Sequence, residues 1–264
     1  MKEIQADSRL NILEVSGLAW AETVRRAAET LGNDAAANFA AYQASLPEQA
    51  VRSPETGDEL RRAGILDAYG VMSPQWILAV ALAASAPVKA SAVVQFRDTA
   101  QFGDAVRPEE RSVHTEIGLA GGRGVGVSYF RRINQQPDDE VVTEVRNAVE
   151  VSFFQEENAW ASLSRHFPDL PELNASHEAA ANASCTIHLD VWATPGTRTG
   201  ARPYSSRRVW TVADRLYSVA TGPGGTDAVS LTAVPATDLA REFAWSLLGA
   251  REYLGTLAGR SVSV

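Results

Sequence analysis

The stretch Arg207–Leu257 holds both secondary-structure periods within about fifty residues, and little else in the chain is so restrictive. Val209, Thr211 and Ala213 alternate with Arg208, Trp210 and Val212, the two-residue period of a half-buried strand. Asp214-Arg215 turns the chain, Leu216–Ala220 runs back, and Gly222-Pro223-Gly224-Gly225 turns it again. Ala228–Val234 reads as a third strand, closed by Pro235. A helix follows in which Leu239, Phe243, Leu247, Ala250 and Leu254 recur at spacings that place them on one face. A chain ending in three strands and one long helix is α+β, not a helical bundle or a sandwich.

At 264 residues the chain can bury a substantial core without disulfides, and its single Cys185 cannot form an internal one. The net charge of −8 argues against nucleic acid as the main partner. The longest apolar run, Trp76–Ala84, falls far short of the roughly 20 residues of a membrane-spanning helix, so no membrane insertion is expected. MKEIQADSRL lacks the apolar region of a signal peptide, which points to a cytoplasmic protein.

Leu10–Val15 reads as a strand, and Ser16 caps a helix with Trp20, Val24, Ala27 and Leu31 on one face. A weakly patterned segment, Ala35–Pro54, precedes a short helix, Asp58–Ala63, that ends at Gly64. Ser73-Pro74 starts a helix reaching about Ser85, apolar on nearly every side and therefore expected to be buried. Strands are expected at Ala90–Phe96, Val113–Leu119, Val125–Ile133 and Val141–Arg146. Arg97–Arg111 reads as a long polar loop and Asn134–Asp139 as a turn. A helix carrying Phe153, Trp160, Leu163 and Phe167 follows, and then a small polar connector, Pro168–Ser184. Ile187, Leu189 and Val191 alternate in a further strand before a second polar loop, Thr194–Ser206. Strand, loop, strand, tight turn, strand, turn, strand, helix therefore occurs twice. The expectation is one domain over 1–264, with halves at about 10–168 and 186–257 joined by a linker at about 169–185, built on an antiparallel sheet from two pseudo-twofold related halves covered by helices.

None of the chemical motifs is convincing. GGRGVG (121–126) precedes a strand, whereas a dinucleotide fingerprint needs a helix, so it reads as a hairpin turn. Cys185-x-x-His188 has zinc-like spacing without a second ligand pair. His188 and Asp190 share a strand face and, with a serine, make the alternative of a hydrolase, although no Gly-x-Ser-x-Gly elbow is present. Trp192 and Trp210 lie on strand faces with polar neighbours, so a helix-covered face and a partner-facing one both stay open. A generic protein-binding module is the third alternative.

LRRAGILDAYGVMSPQWILAVALAASAP (60–87) and RRVWTVADRLYSVATGPGGTDAVSLTAVPATDLAREFAWSLL (207–248) resemble structural stretches of the EspG family, chaperones of type VII (ESX) secretion in actinobacteria. The resemblance implies a quasi-twofold α+β fold, no enzyme activity, no cofactor and no metal. It implies cytosolic binding to the tip of a helical PE–PPE pair, or a WXG-like substrate, so that apolar side chains there are covered before export. In that family the loop between strands two and three, the sheet face and the C-terminal helices contact the client. Transferred to this chain, the contacts are Gln101, Phe102, Arg107 and Arg111, with Trp192 and Trp210 on the sheet. A homodimer stays open.

Overall fold

Ser16 shows how the amino-terminal part is assembled from its sequence. Its hydroxyl accepts from the Ala19 amide at 3.1 Å and so caps α1 (Gly17–Leu31). The Ser16 amide and hydroxyl in turn donate to the two oxygens of Glu59, at 2.6 and 2.7 Å, which ties α1 to α3 (Pro54–Arg62). α3 begins earlier than the sequence pattern suggests, because Ser53 caps it and Pro54 occupies its first turn. Its end is as expected: Gly64, at φ +69°, takes the left-handed position after the last turn.

The structure is a computed structural model. It describes residues 10–32, 36–102, 105–136, 139–168, 184–195, 202–213, 215–221 and 229–261. Within these, side chains are described except at 36–38, 97–102, 105–110, 132–136, 139–145, 221, 229 and 259–261. The expected linker falls almost wholly outside the described residues, as do residues 196–201 of the second polar loop, whose last three residues, from Tyr204, are strand instead.

Among the described residues nine strands form one sheet. They are β1 (Asn11–Val15), β2 (Val88–Phe102), β3 (Ala105–Ala120), β4 (Arg123–Gln136), β5 (Asp139–Gln155), β6 (Cys185–Ala193), β7 (Tyr204–Val212), β8 (Leu216–Thr221) and β9 (Val229–Ala233). Their order, β1-β5-β4-β3-β2-β6-β7-β8-β9, is palindromic about the β2–β6 pair once β1 is set aside. β2 and β6 are antiparallel, Val88 opposite Ala193 and Phe96 opposite Cys185, and each opens a four-strand meander running outward. The fold is therefore α+β, with the repeat of element order realised as two meanders meeting at one ladder. Gly121 and Gly122, at φ +59° and +75°, make the tight β3–β4 turn that GGRGVG suggests.

Three expectations are corrected. Arg97–Arg111 is not a loop: β2 runs to Phe102 and β3 starts at Ala105, a long hairpin whose polar composition hides its alternation. The Asn134–Asp139 turn shrinks for the same reason, with β4 reaching Gln136. Phe153 is not helical either. β5 continues to Gln155, and only a 3₁₀ turn at Glu156–Asn158 and the short α5 (Ala159–Ser164) follow.

Two compact units can be distinguished. The first takes the chain to Pro87 together with Glu116–Phe130 and Val145–Ser162. It holds α1, α2 (Ala36–Ser45), α3 and α4 (Pro74–Ser85) against the facing parts of β3, β4 and β5. Trp20, Val24, Phe39, Leu60, Ile65, Trp76 and Val80 pack with Val125, Val127 and Val151, and burial of each large side chain contributes about 1.5–3 kcal/mol. The Trp20 indole donates to the Tyr129 hydroxyl at 2.9 Å, and Trp76 lies edge-on to Phe153 at 5.1 Å. α4 departs from expectation on one side: Trp76, Ala79, Val80 and Ala83 are buried, but Leu78 is 42% exposed. The second unit comprises Val88–Thr115, Arg131–Glu144 and the chain from Leu163 onward, with β2, β6–β9 and α6 (Thr237–Ser261).

Candidate partner-binding site

The second unit carries every position that the sequence nominates for contact with a partner. Register decides which of them can reach one. In β6 burial alternates strictly: Cys185, Ile187, Leu189, Val191 and Ala193 are buried, and the residues between them are half-buried. Ile187 pairs with Val94 on one side and Trp210 on the other, so these residues share a face. α6 covers that face. The Trp210 indole donates to Asp238 at 3.3 Å, Arg208 pairs with Glu242 at 2.9 Å, and the Ser206 and Ser246 hydroxyls lie 2.9 Å apart.

Trp210 is thus fully buried, 0% exposed, and is a core residue rather than a contact residue. This corrects the sequence reading, and the cause is the packing of α6 on this side of the sheet. Trp192 lies on the opposite face with His188 and Asp190, half-buried. Arg111 is exposed on β3, its guanidinium 5.8 Å from the centre of the Phe96 ring. The side chains of Gln101, Phe102 and Arg107 lie outside the described residues, although their backbone belongs to the β2–β3 hairpin.

α6 carries exposed apolar residues that the sequence pattern did not single out. Leu239, Phe243 and Ala250 are buried against the sheet, as their spacing requires, and Asp238 and Ser246 are buried with them. On the other side Trp245 is 63% exposed and Leu248 is 44% exposed. Both sit on the 25-residue α6, and among the described residues they are its two large apolar side chains left exposed. The signal was present in the sequence: a helix advances about 100° per residue, so Trp245 falls about 200° from Phe243, away from the core stripe.

His188 and Asp190 stand two residues apart on one strand face, roughly 7 Å apart along the backbone. The Asp190 carboxylate accepts from the Arg207 guanidinium at 2.7 Å. Burial pushes the His188 imidazole below its ordinary pKa; Asp190 opposes that push and Arg207 reinforces it. Cys185 and His188 lie on opposite faces of β6, so their zinc-like spacing does not converge. Burial pushes the Cys185 thiol up to about 12, the behaviour of a core residue rather than a ligand or nucleophile. Among the described residues no group of three His, Cys, Asp or Glu side chains could hold a metal ion, and no helix is long and apolar enough to cross a membrane.

No protein-family model matches the chain, and no curated protein matches it by sequence. Among solved structures, the chain is similar to one in the structure of the Mycobacterium tuberculosis type VII secretion system chaperone EspG5 in complex with a PE25–PPE41 dimer. The superposition covers 91% of this chain and 96% of that one, with a TM-score of 0.51 and 9% sequence identity. At that identity the likeness is one of fold, and it extends over nearly the full length of both chains.

Proposed function

We propose that this protein is a cytosolic, non-enzymatic chaperone of type VII secretion that caps the tip of a helical substrate, PE–PPE-like or WXG-like, and keeps it soluble for export. The observation that carries the reading is the near full-length likeness in fold to a secretion chaperone solved with a PE25–PPE41 dimer. Within this chain, the exposed Trp245 and Leu248 on α6 supply what capping requires, an apolar surface held ready on a rigid element. A helical tip with apolar side chains self-associates in water unless a complementary surface covers it. The β2–β3 hairpin, with Gln101, Phe102, Arg107 and Arg111, and the half-buried Trp192 are the further proposed contacts.

Co-expression with the small helical proteins encoded beside it, followed by affinity capture and light scattering, tests the reading. A stoichiometric complex is expected. Trp245→Ala should weaken it by about thirtyfold, equivalent to about 2 kcal/mol for a central aromatic anchor, with the melting temperature unchanged. Trp210→Ala is a contrasting control that should lower stability by about 3–5 kcal/mol through the cavity it leaves. Failure of every neighbouring helical protein to co-purify, or wild-type affinity in Trp245→Ala, would count against the proposal.

A further inference from the structure

We infer that a groove in the first unit, between α4 and the adjoining ends of β1, β4 and β5, binds an aliphatic monocarboxylate. The groove encloses about 430 Å³, within the range of small-molecule sites, and its walls are Leu10, Leu78, Leu82 and Phe153. Leu78 is the residue that breaks the burial of an otherwise apolar helix, and it does so at this groove.

The charge of the lining is what selects the ligand. The chain carries 32 acidic against 24 basic residues, yet no carboxylate lines the groove and one guanidinium, that of Arg123, does. Among the described residues Arg123 has no acidic partner. The side-chain amides of Gln75 and Gln155 stand in the same lining as further donors. Apolar walls with a cation and amide donors, and without a competing anion, match a hydrocarbon chain ending in a carboxylate. Arginine suits that end group because its planar fork pairs with both oxygens. The inference is independent of the proposed chaperone activity, since the groove belongs to the first unit and the proposed client contacts to the second.

Phe153 supplies the readout, because it lies edge-on to Trp76 and a ligand against it perturbs tryptophan fluorescence. Sodium decanoate, kept below its micellar threshold, is titrated into the full-length protein by fluorescence and by calorimetry. Saturable one-to-one binding is expected, at least tenfold tighter than that of 1-decanol. Arg123→Gln, a change at the exposed first residue of β4, should bring decanoate down to the affinity of decanol with the circular dichroism spectrum unchanged. Trp245→Ala, which removes the largest exposed apolar side chain of α6, should leave decanoate binding within twofold of wild type. Three outcomes would each overturn the inference: no saturable decanoate binding, equal affinity for decanoate and decanol, or wild-type affinity in Arg123→Gln. Capture of helical clients should be the same in Arg123→Gln as in wild type, so this test and that of the chaperone reading fail separately.

Discussion

Glu22 is the residue on which two opposing electrostatic effects can be weighed. It is 1% exposed within α1, and burial alone pushes its carboxyl up. Hydrogen bonds and charge from Arg25, at 2.6 Å, and Arg26, at 2.7 Å, outweigh that push, and the carboxyl ends below its usual range. A carboxylate lowered on folding contributes stability that is fully present above its unfolded pKa of about 4.3 and is lost as pH falls through the folded value. Glu22→Gln keeps the shape and removes the charge, so it should cost about 1–3 kcal/mol at neutral pH. In urea titrations the gap from wild type should narrow as pH falls from about 4.3 through the lower folded value, because the unfolded chain takes up the proton first and the folded carboxyl only later. A gap independent of pH would mean that Glu22 acts through packing alone.

At the scale of the element, the contact of α4 with β3 shows how closely two pieces of backbone can approach when the sequence permits it. A Cβ at Gly118 would lie 2.3 Å from the Leu82 carbonyl oxygen, which is helix backbone and cannot swing aside. Gly118→Ala should therefore destabilise the protein by about 1–3 kcal/mol. Gly255 in α6 has open space around it, and Gly255→Ala should stabilise by about 0.5–1 kcal/mol through helix propensity alone. Denaturant midpoints with unchanged slopes would establish both; equal effects would refute the packing argument. The same elements show what was legible in the sequence. β6 and α6 were, because each buries one face and so writes its period into the chain. The outer parts of β2 and β3 were not, because Arg97–Arg111 is mostly polar, without a strand's alternation, and Pro108 speaks against a strand. At the candidate site, the exposure of Trp245 was readable from its angle to Phe243. The burial of Trp210 was not, since the period of β7 cannot say on which side of the sheet α6 lies.

For the whole molecule, the path of the strands sets how it unfolds. β3, β4 and β5 each contribute residues to both compact units, and the nine described strands belong to one sheet. Melting one unit alone would cut three continuous strands midway and leave their backbone groups unpaired at new edges. That cost should couple the units, giving a single transition. The six tryptophans report on this evenly: Trp20, Trp76 and Trp160 lie in the first unit, and Trp192, Trp210 and Trp245 in the second. With fluorine-labelled tryptophan, six native resonances should lose intensity at one urea midpoint. Two groups of midpoints, divided by unit, would show that the units unfold separately and that the shared strands do not couple them. The same spectrum then separates folding from recognition. On addition of a helical client the Trp245 resonance should shift while Trp20, fully buried in the first unit, stays in place. A client that moved Trp20 and left Trp245 unchanged would place the contact outside α6, and the surface proposed here would have to be abandoned even if the complex were real.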